Sequence, residues 1–248
     1  MDPDGHGGYR GWANRLAERI AAAQGELLYA NLAIRGRRTR RILEEQLEPA
    51  LAMKPDLTTV FAGTNDVVAR NFDADRVAAD METMQRRLVE SGATVLTFTL
   101  PDLAAVMPLA RRIVHRVEAL NEVLRGVAAG TGALLVDFAE HPVAADRRLW
   151  NEDRLHANSL GHERVAAALA HALGLPGADD SWQEPLPPER PWTVSRQIAE
   201  ELRWGRRFLL PWMWRHLWGR SSGDGIRPKR PTLSPLSAAI LETEGGSA

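Results

Sequence analysis

The tetrapeptide Asp153-Arg154-Leu155-His156 places a carboxylate three residues before an imidazole. That pairing suits acid–base work: the carboxylate fixes the tautomer and direction of the ring, and the ring takes and returns a proton. A second stretch, Phe61-Ala62-Gly63-Thr64-Asn65-Asp66, follows the β-branched run Leu57-Thr58-Thr59-Val60. It sets a permissive glycine and an amide–carboxylate pair where a buried strand should end, the place at which open α/β sheets hold ligands. Taken singly, each feature has a plainer meaning. Gly-Thr-Asn-Asp is an ordinary turn, and Asp153 and His156 apart would be a helix cap and a surface group. Their combination, one after a strand and one before a helix, favours a site.

The elements that must position these residues alternate. Trp12, Leu16, Ile20 and Ala23 repeat at helical spacing, and Leu27 to Leu32 reads as a strand followed by a turn at Ile34-Arg35-Gly36. A helix is predicted over 39–52, with Pro49 kinking or ending it early. After the strand at 57–62, Asp73 caps a helix carrying Val77, Met81, Met84 and Leu88, which Gly92 stops. Ala93–Thr99 is strand-like, 108–129 is helical and Leu134–Asp137 is the last strand. Asn158 or Ser159 caps a helix through Leu173, ended by Gly174. This rhythm predicts a mostly parallel sheet covered on both faces, an α/β fold of three layers.

Global properties narrow the function classes. The chain has 31 basic and 32 acidic residues, so net charge gives no push toward nucleic acid. It has no cysteine, which excludes disulfides and thiolate metal sites. His6, His115, His141 and His171 are scattered and suggest no metal centre, and His162 reads as a packing or surface histidine. No signal core and no apolar run of about 18 residues is visible, which predicts a cytoplasmic protein.

The blocks around Gly36, Asn65 and Asp153/His156 resemble those of the SGNH hydrolase superfamily, the GDSL-like lipase/acylhydrolases, over roughly residues 5–173. The resemblance implies a flavodoxin-like fold and hydrolysis of small-molecule acyl esters by a serine nucleophile, with no metal or organic cofactor. It implies that His156 is the base and Asp153 its orienting partner, and that the Asn65 amide and the Gly36 N–H stabilise the oxyanion. One family block has no counterpart: the chain holds no Gly-Asp-Ser, and Gly-Gly-Tyr-Arg-Gly-Trp matches the segment that ordinarily comes after that block. The expectation is therefore an N-terminally truncated form, begun too late, with the 248-residue chain inactive. Ser159, Ser91 and Thr64 are poorly placed as substitutes; a cap on the following turn by Asp66 and a place for Arg70 at the mouth of the site are both disfavoured readings. The competing readings are a catalytically dead ligand-binding protein of this fold, and a structural or membrane-associated module.

The domain prediction is an α/β domain over 1–175, a Pro-rich linker over 176–193, a helical arm over 194–220 and a disordered tail over 221–248. Six of the eight tryptophans lie from Trp182 onward, with Arg206, Arg207, Arg215 and Arg220 as a basic margin. Such an arm suits packing on its own domain, self-association or contact with a membrane surface. Pro211 is expected to break it into two short helices.

Overall fold

Helical and extended stretches alternate much as the periodicity predicts. The computed structural model describes residues 10–107, 111–189, 193–211 and 225–237. Its first half holds α1 (Trp12–Gln24), β1 (Glu26–Asn31), α2 (Thr39–Ala52), β2 (Leu57–Thr59), α3 (Thr64–Val67) and α4 (Ala74–Glu90). Next come β3 (Thr94–Phe98), α5 (Leu103–Val106), α6 (Val114–Thr131), β4 (Leu134–Val136) and α7 (Ser159–Ala172). The C-terminal part adds α8 (Val194–Trp204), a π-helical turn at Gly205–Leu209, and β5 (Arg230–Ser237).

Strand β3 lies between β2 and β4 and runs parallel to both, with Leu96 opposite Thr59 on one side and Leu134 on the other. Successive strand residues point to opposite faces. Val95 accordingly joins Val77, Met81, Met84 and Leu88 of α4 and Leu120 and Leu124 of α6. Leu96 and Phe98 join Leu16 and Ile20 of α1 and Ala166 and Leu169 of α7 on the other side. These two cores make the three layers that the rhythm of the chain predicts. Aromatic rings thicken the second core: Phe98 stacks on Phe61 at 4.1 Å and meets Trp12 and Phe138 edge-on at 5.3 and 5.4 Å.

The element ends have local causes. The Asp73 carboxylate accepts from the Arg76 N–H at 3.1 Å and starts α4, and Gly92 at φ 95° comes just past its end. Pro49 does not end α2 early, since the helix runs on to Ala52. Asp66 does not serve its own turn. Its Oδ2 accepts from the Thr39 N–H and hydroxyl at 2.9 and 2.8 Å, placing a carboxylate at the start of α2.

Three expectations are corrected. β1 does not enter the parallel sheet but pairs antiparallel with β5, Leu27 opposite Leu236 and Leu28 opposite Pro235. Its partner comes from the tail expected to be disordered. Composition misleads there because proline is tolerated on an edge strand, and Leu236 gains burial against Ala17 and Ala21. The Pro-rich stretch after residue 176 is also no free tether. Trp182 is buried against Phe138, and Arg164 Nη1 donates to the carbonyls of Ser181, Trp182 and Glu184 at 3.1, 2.6 and 2.8 Å. Prolines exclude a ladder, but one guanidinium serves three carbonyls in its place. Residues 212–224, which include Trp212, Trp214 and Trp218 of the expected arm, lie outside the described residues, and so does the expected second short helix after Pro211. No helix among the described residues is long and apolar enough to cross a membrane.

Gly63 is the tightest joint between the sheet and α6. It stands at φ 101°, and a Cβ there would lie 2.5 Å from Leu120 Cδ1. Gly63→Ala is expected to lower unfolding stability by about 1–3 kcal/mol, through left-handed backbone and overpacking. In urea titrations the loss should be partly relieved in a Gly63→Ala/Leu120→Ala double variant, relative to the sum of the single changes. Additive losses would show that the contact is not the cause.

Candidate active site

The acid–base pair sits on a small closed loop in front of α7. Trp150 and Ala157 form an antiparallel bridge, and the Asn151 N–H donates to the His156 carbonyl at 2.8 Å. Asn158 closes the neck. Its side-chain oxygen accepts from the Gly161 N–H at 3.0 Å, capping α7, while its amide donates to the Arg148 carbonyl at 2.7 Å. Gly161 permits this because a Cβ there would overlap the Leu149 carbonyl oxygen.

Within the loop Asp153 accepts three hydrogen bonds. Oδ1 takes the N–H groups of Leu155 and His156 at 3.0 and 3.1 Å, and Oδ2 faces His156 Nδ1 at 2.8 Å. Burial by itself would raise the Asp153 pKa, but the His156 ring and then the two backbone donors outweigh it, so the group lies below its ordinary value. An ionised carboxylate only accepts, so the shared proton sits on Nδ1, and in the neutral ring Nε2 carries the lone pair. The His156 side chain is 54% exposed, and Asp153 is its only hydrogen-bonding partner among the described residues. This is the state in which an imidazole can receive a proton from a hydroxyl.

The other two candidates meet at a second place. Gly36 lies in a turn at φ 77°, and the Asn65 amide donates to the carbonyl of the next residue, Arg37, at 2.9 Å. Asn65 and Asp66 thus both hold the segment just after Gly36, Asn65 at residue 37 and Asp66 at Thr39. The structure brings Asp153 to His156 and Asn65 to the Gly36 turn; no hydrogen bond links Asn65 to His156. None of the remaining candidates hydrogen-bonds His156 among the described residues. Ser159 Oγ accepts from Arg15 Nη2 at 3.0 Å, Ser91 Oγ donates to the Leu88 carbonyl at 2.7 Å, and Arg70 is exposed. His162 packs at the start of α1, where its Nδ1 accepts from the Trp12 N–H at 3.3 Å. A surface hollow of about 270 Å³ lies between α4 and α6, lined by Ala78, Val123 and Gly126 among others, and none of these candidates lines it.

Sequence reading missed Arg154, which lies between the two candidates along the chain and whose buried side chain meets Glu201. A guanidinium inside an acid–base motif gives no local sign of a partner 47 residues away. The only sequence trace is the spacing by three of Glu201, Trp204 and Arg207.

The chain belongs to the GDSL-like Lipase/Acylhydrolase family, whose sequence pattern matches residues 2–164. Among solved structures it resembles TesA, at 25% identity and TM-score 0.55, covering 66% of this chain and 87% of that one. It shares the fold of Axe2, an acetylxylan esterase from Geobacillus stearothermophilus, at 19% identity and TM-score 0.54, over 69% and 84% of the two chains. It also shares the fold of the psychrotrophic esterase EstA from Pseudoalteromonas sp., at 17% identity and TM-score 0.53, over 66% and 86%. Comparison with curated protein sequences gives no match.

The geometry of Asp153 makes part of the stability pH-dependent. Its folded pKa is depressed, so its contribution is complete above the unfolded value of about 3.9 and is lost as pH falls through the lower folded value. Asp153→Asn should flatten the acid limb of urea midpoints measured from pH 6 to pH 2. An acid limb identical to that of the parent chain would show that Asp153 gains nothing from its three donors.

Proposed function

We propose that this chain carries the acid–base and oxyanion parts of a serine-dependent hydrolase of small acyl esters. The observation that carries the reading is the 2.8 Å contact of His156 Nδ1 with Asp153, with Nε2 of the half-exposed ring unbonded among the described residues. In this reading a serine hydroxyl brought beside the ring attacks the ester carbonyl while His156 Nε2 takes its proton. Asp153 balances the imidazolium that forms, and the Asn65 amide and Gly36 N–H receive the oxyanion. His156 then protonates the departing alkoxide. Water repeats the sequence on the acyl-serine, releasing the acid and restoring the serine. Each step moves one proton through one imidazole, so no cofactor enters.

Among the described residues no serine or threonine hydroxyl bonds the His156 ring, which supports the further proposal that the 248-residue chain alone turns over esters slowly or not at all. The test compares this chain with an upstream-extended, serine-bearing form on short-chain aryl esters. The extended form should lose about 10²–10³ in kcat on Asn65→Ala and about 10⁴ on Asp153→Asn. Unchanged turnover in both variants would defeat the assignment. Robust His156-dependent turnover by the 248-residue chain would overturn the need for an external serine. Ester binding without turnover in the extended form would favour a ligand-binding protein on a hydrolase fold.

A further inference from the structure

Three successive residues of the acid–base loop are each held by the C-terminal arm. Arg207 Nη1 reaches Glu152 Oε2 at 3.2 Å, and the Trp204 indole N–H donates to the Asp153 carbonyl at 3.3 Å. Glu201 accepts both ends of the Arg154 fork, Nη1 at 2.8 Å and Nη2 at 2.7 Å. Arm residues 201, 204 and 207 recur every three positions and so share one helical face. Their partners run in reverse order, 154, 153 and 152, so the arm and the loop are matched over their length. The Arg154 guanidinium also lies 4.6 Å from the centre of the Trp204 ring.

Two features distinguish this from casual packing. A helix that docks only to hide apolar surface turns its leucines inward. α8 leaves Ile198 and Leu202 56% and 70% exposed and turns Glu201 and Trp204 toward the loop instead. The Arg154 side chain, for its part, is 1% exposed while Glu201 is 50% exposed, so the partner that is buried belongs to the acid–base loop. Arg154 also stands at φ 60°, a left-handed conformation that residues other than glycine seldom adopt. It lies between Asp153 and the two N–H groups, of Leu155 and His156, that wrap back onto the Asp153 carboxylate. The left-handed turn is where the chain reverses to bring those donors round.

We infer that α8 and the turn after it form a positioning brace for the acid–base loop, in which Glu201 and Trp204 act through Arg154 and the Asp153 carbonyl to keep Asp153 and His156 in register. The inference rests on the acid–base reading of those two residues. It concerns a segment beyond residues 2–164, the span of the family match. Neither Glu201 nor Trp204 touches a reacting atom; both are positioning residues.

The test uses the full 248-residue chain and needs no turnover. Glu201→Gln changes a half-exposed side chain and keeps its shape, so the domain should fold. Nuclear magnetic resonance then reads two local signals: the strong intraresidue HN–Hα contact that marks positive φ at Arg154, and hydrogen exchange of the Leu155 and His156 amides. Glu201→Gln should weaken the first and speed the second about tenfold or more, leaving Val95 to Phe98 in β3 unchanged. Glu201→Asp, which keeps the charge, should retain most of both signals, and Trp204→Phe, which loses only the indole donor, should fall between. Unchanged loop signals in Glu201→Gln overturn the brace. Exchange that quickens equally in β3 overturns it as well, because the arm then contributes general stability and not position. The catalytic reading fails by a separate sign, an extended serine-bearing form with no ester turnover.

Discussion

From Val95 to Phe98, strand β3 has no face toward water. Val95 points into the core made with α4 and α6, and Leu96 and Phe98 point into the core made with α1 and α7. Burial of each such side chain contributes on the order of 1.5–3 kcal/mol, and a strand buried on both sides cannot slip by one residue without exchanging its cores. That register fixes where the neighbours end. β2 stops shortly before Gly63 and Asn65, and β4 stops before the chain that leads to Asp153, so the candidate-site segments come after the carboxyl ends of parallel strands.

The loop around Asp153 and His156 carries two local costs. It carries a non-glycine residue in left-handed backbone, worth roughly 1–3 kcal/mol of strain, and a guanidinium with almost no access to water. An unpartnered charge in that place would cost several kcal/mol more. Glu201 meets the charge with a two-pronged contact, and its own carboxyl lies below the ordinary range, first because Arg154 donates to it. The loop's shape and the arm's location are therefore one solution to one electrostatic problem.

The pairing of β1 with β5 obeys a different logic. A strand edge left with unpaired N–H and C=O groups recruits whatever extended segment is near. Here the recruit is Arg230–Ser237, whose prolines would be excluded from a central strand and are admitted at an edge. Leu236 adds burial on α1, while Leu28 on β1 remains 61% exposed.

Local sequence determined a good deal. Periodicity placed α1, α2, α4, β3 and α7 within a few residues, because apolar spacing and the caps Asp73 and Asn158 act over single turns. The Asp153–His156 contact was also legible, since three residues on one turn suffice to join them. Proximity along the chain is what those successes share. Tertiary structure alone decided that Asn65 would bond the carbonyl after Gly36, that Asp66 would serve α2, that a proline-rich tail would complete β1, and that Arg154 would be buried under Glu201. Each of these joins groups 27 residues or more apart. A glutamate or an arginine in sequence reads as a solvated charge, and only the removal of water around Arg154 by the folded arm turns it into a structural requirement.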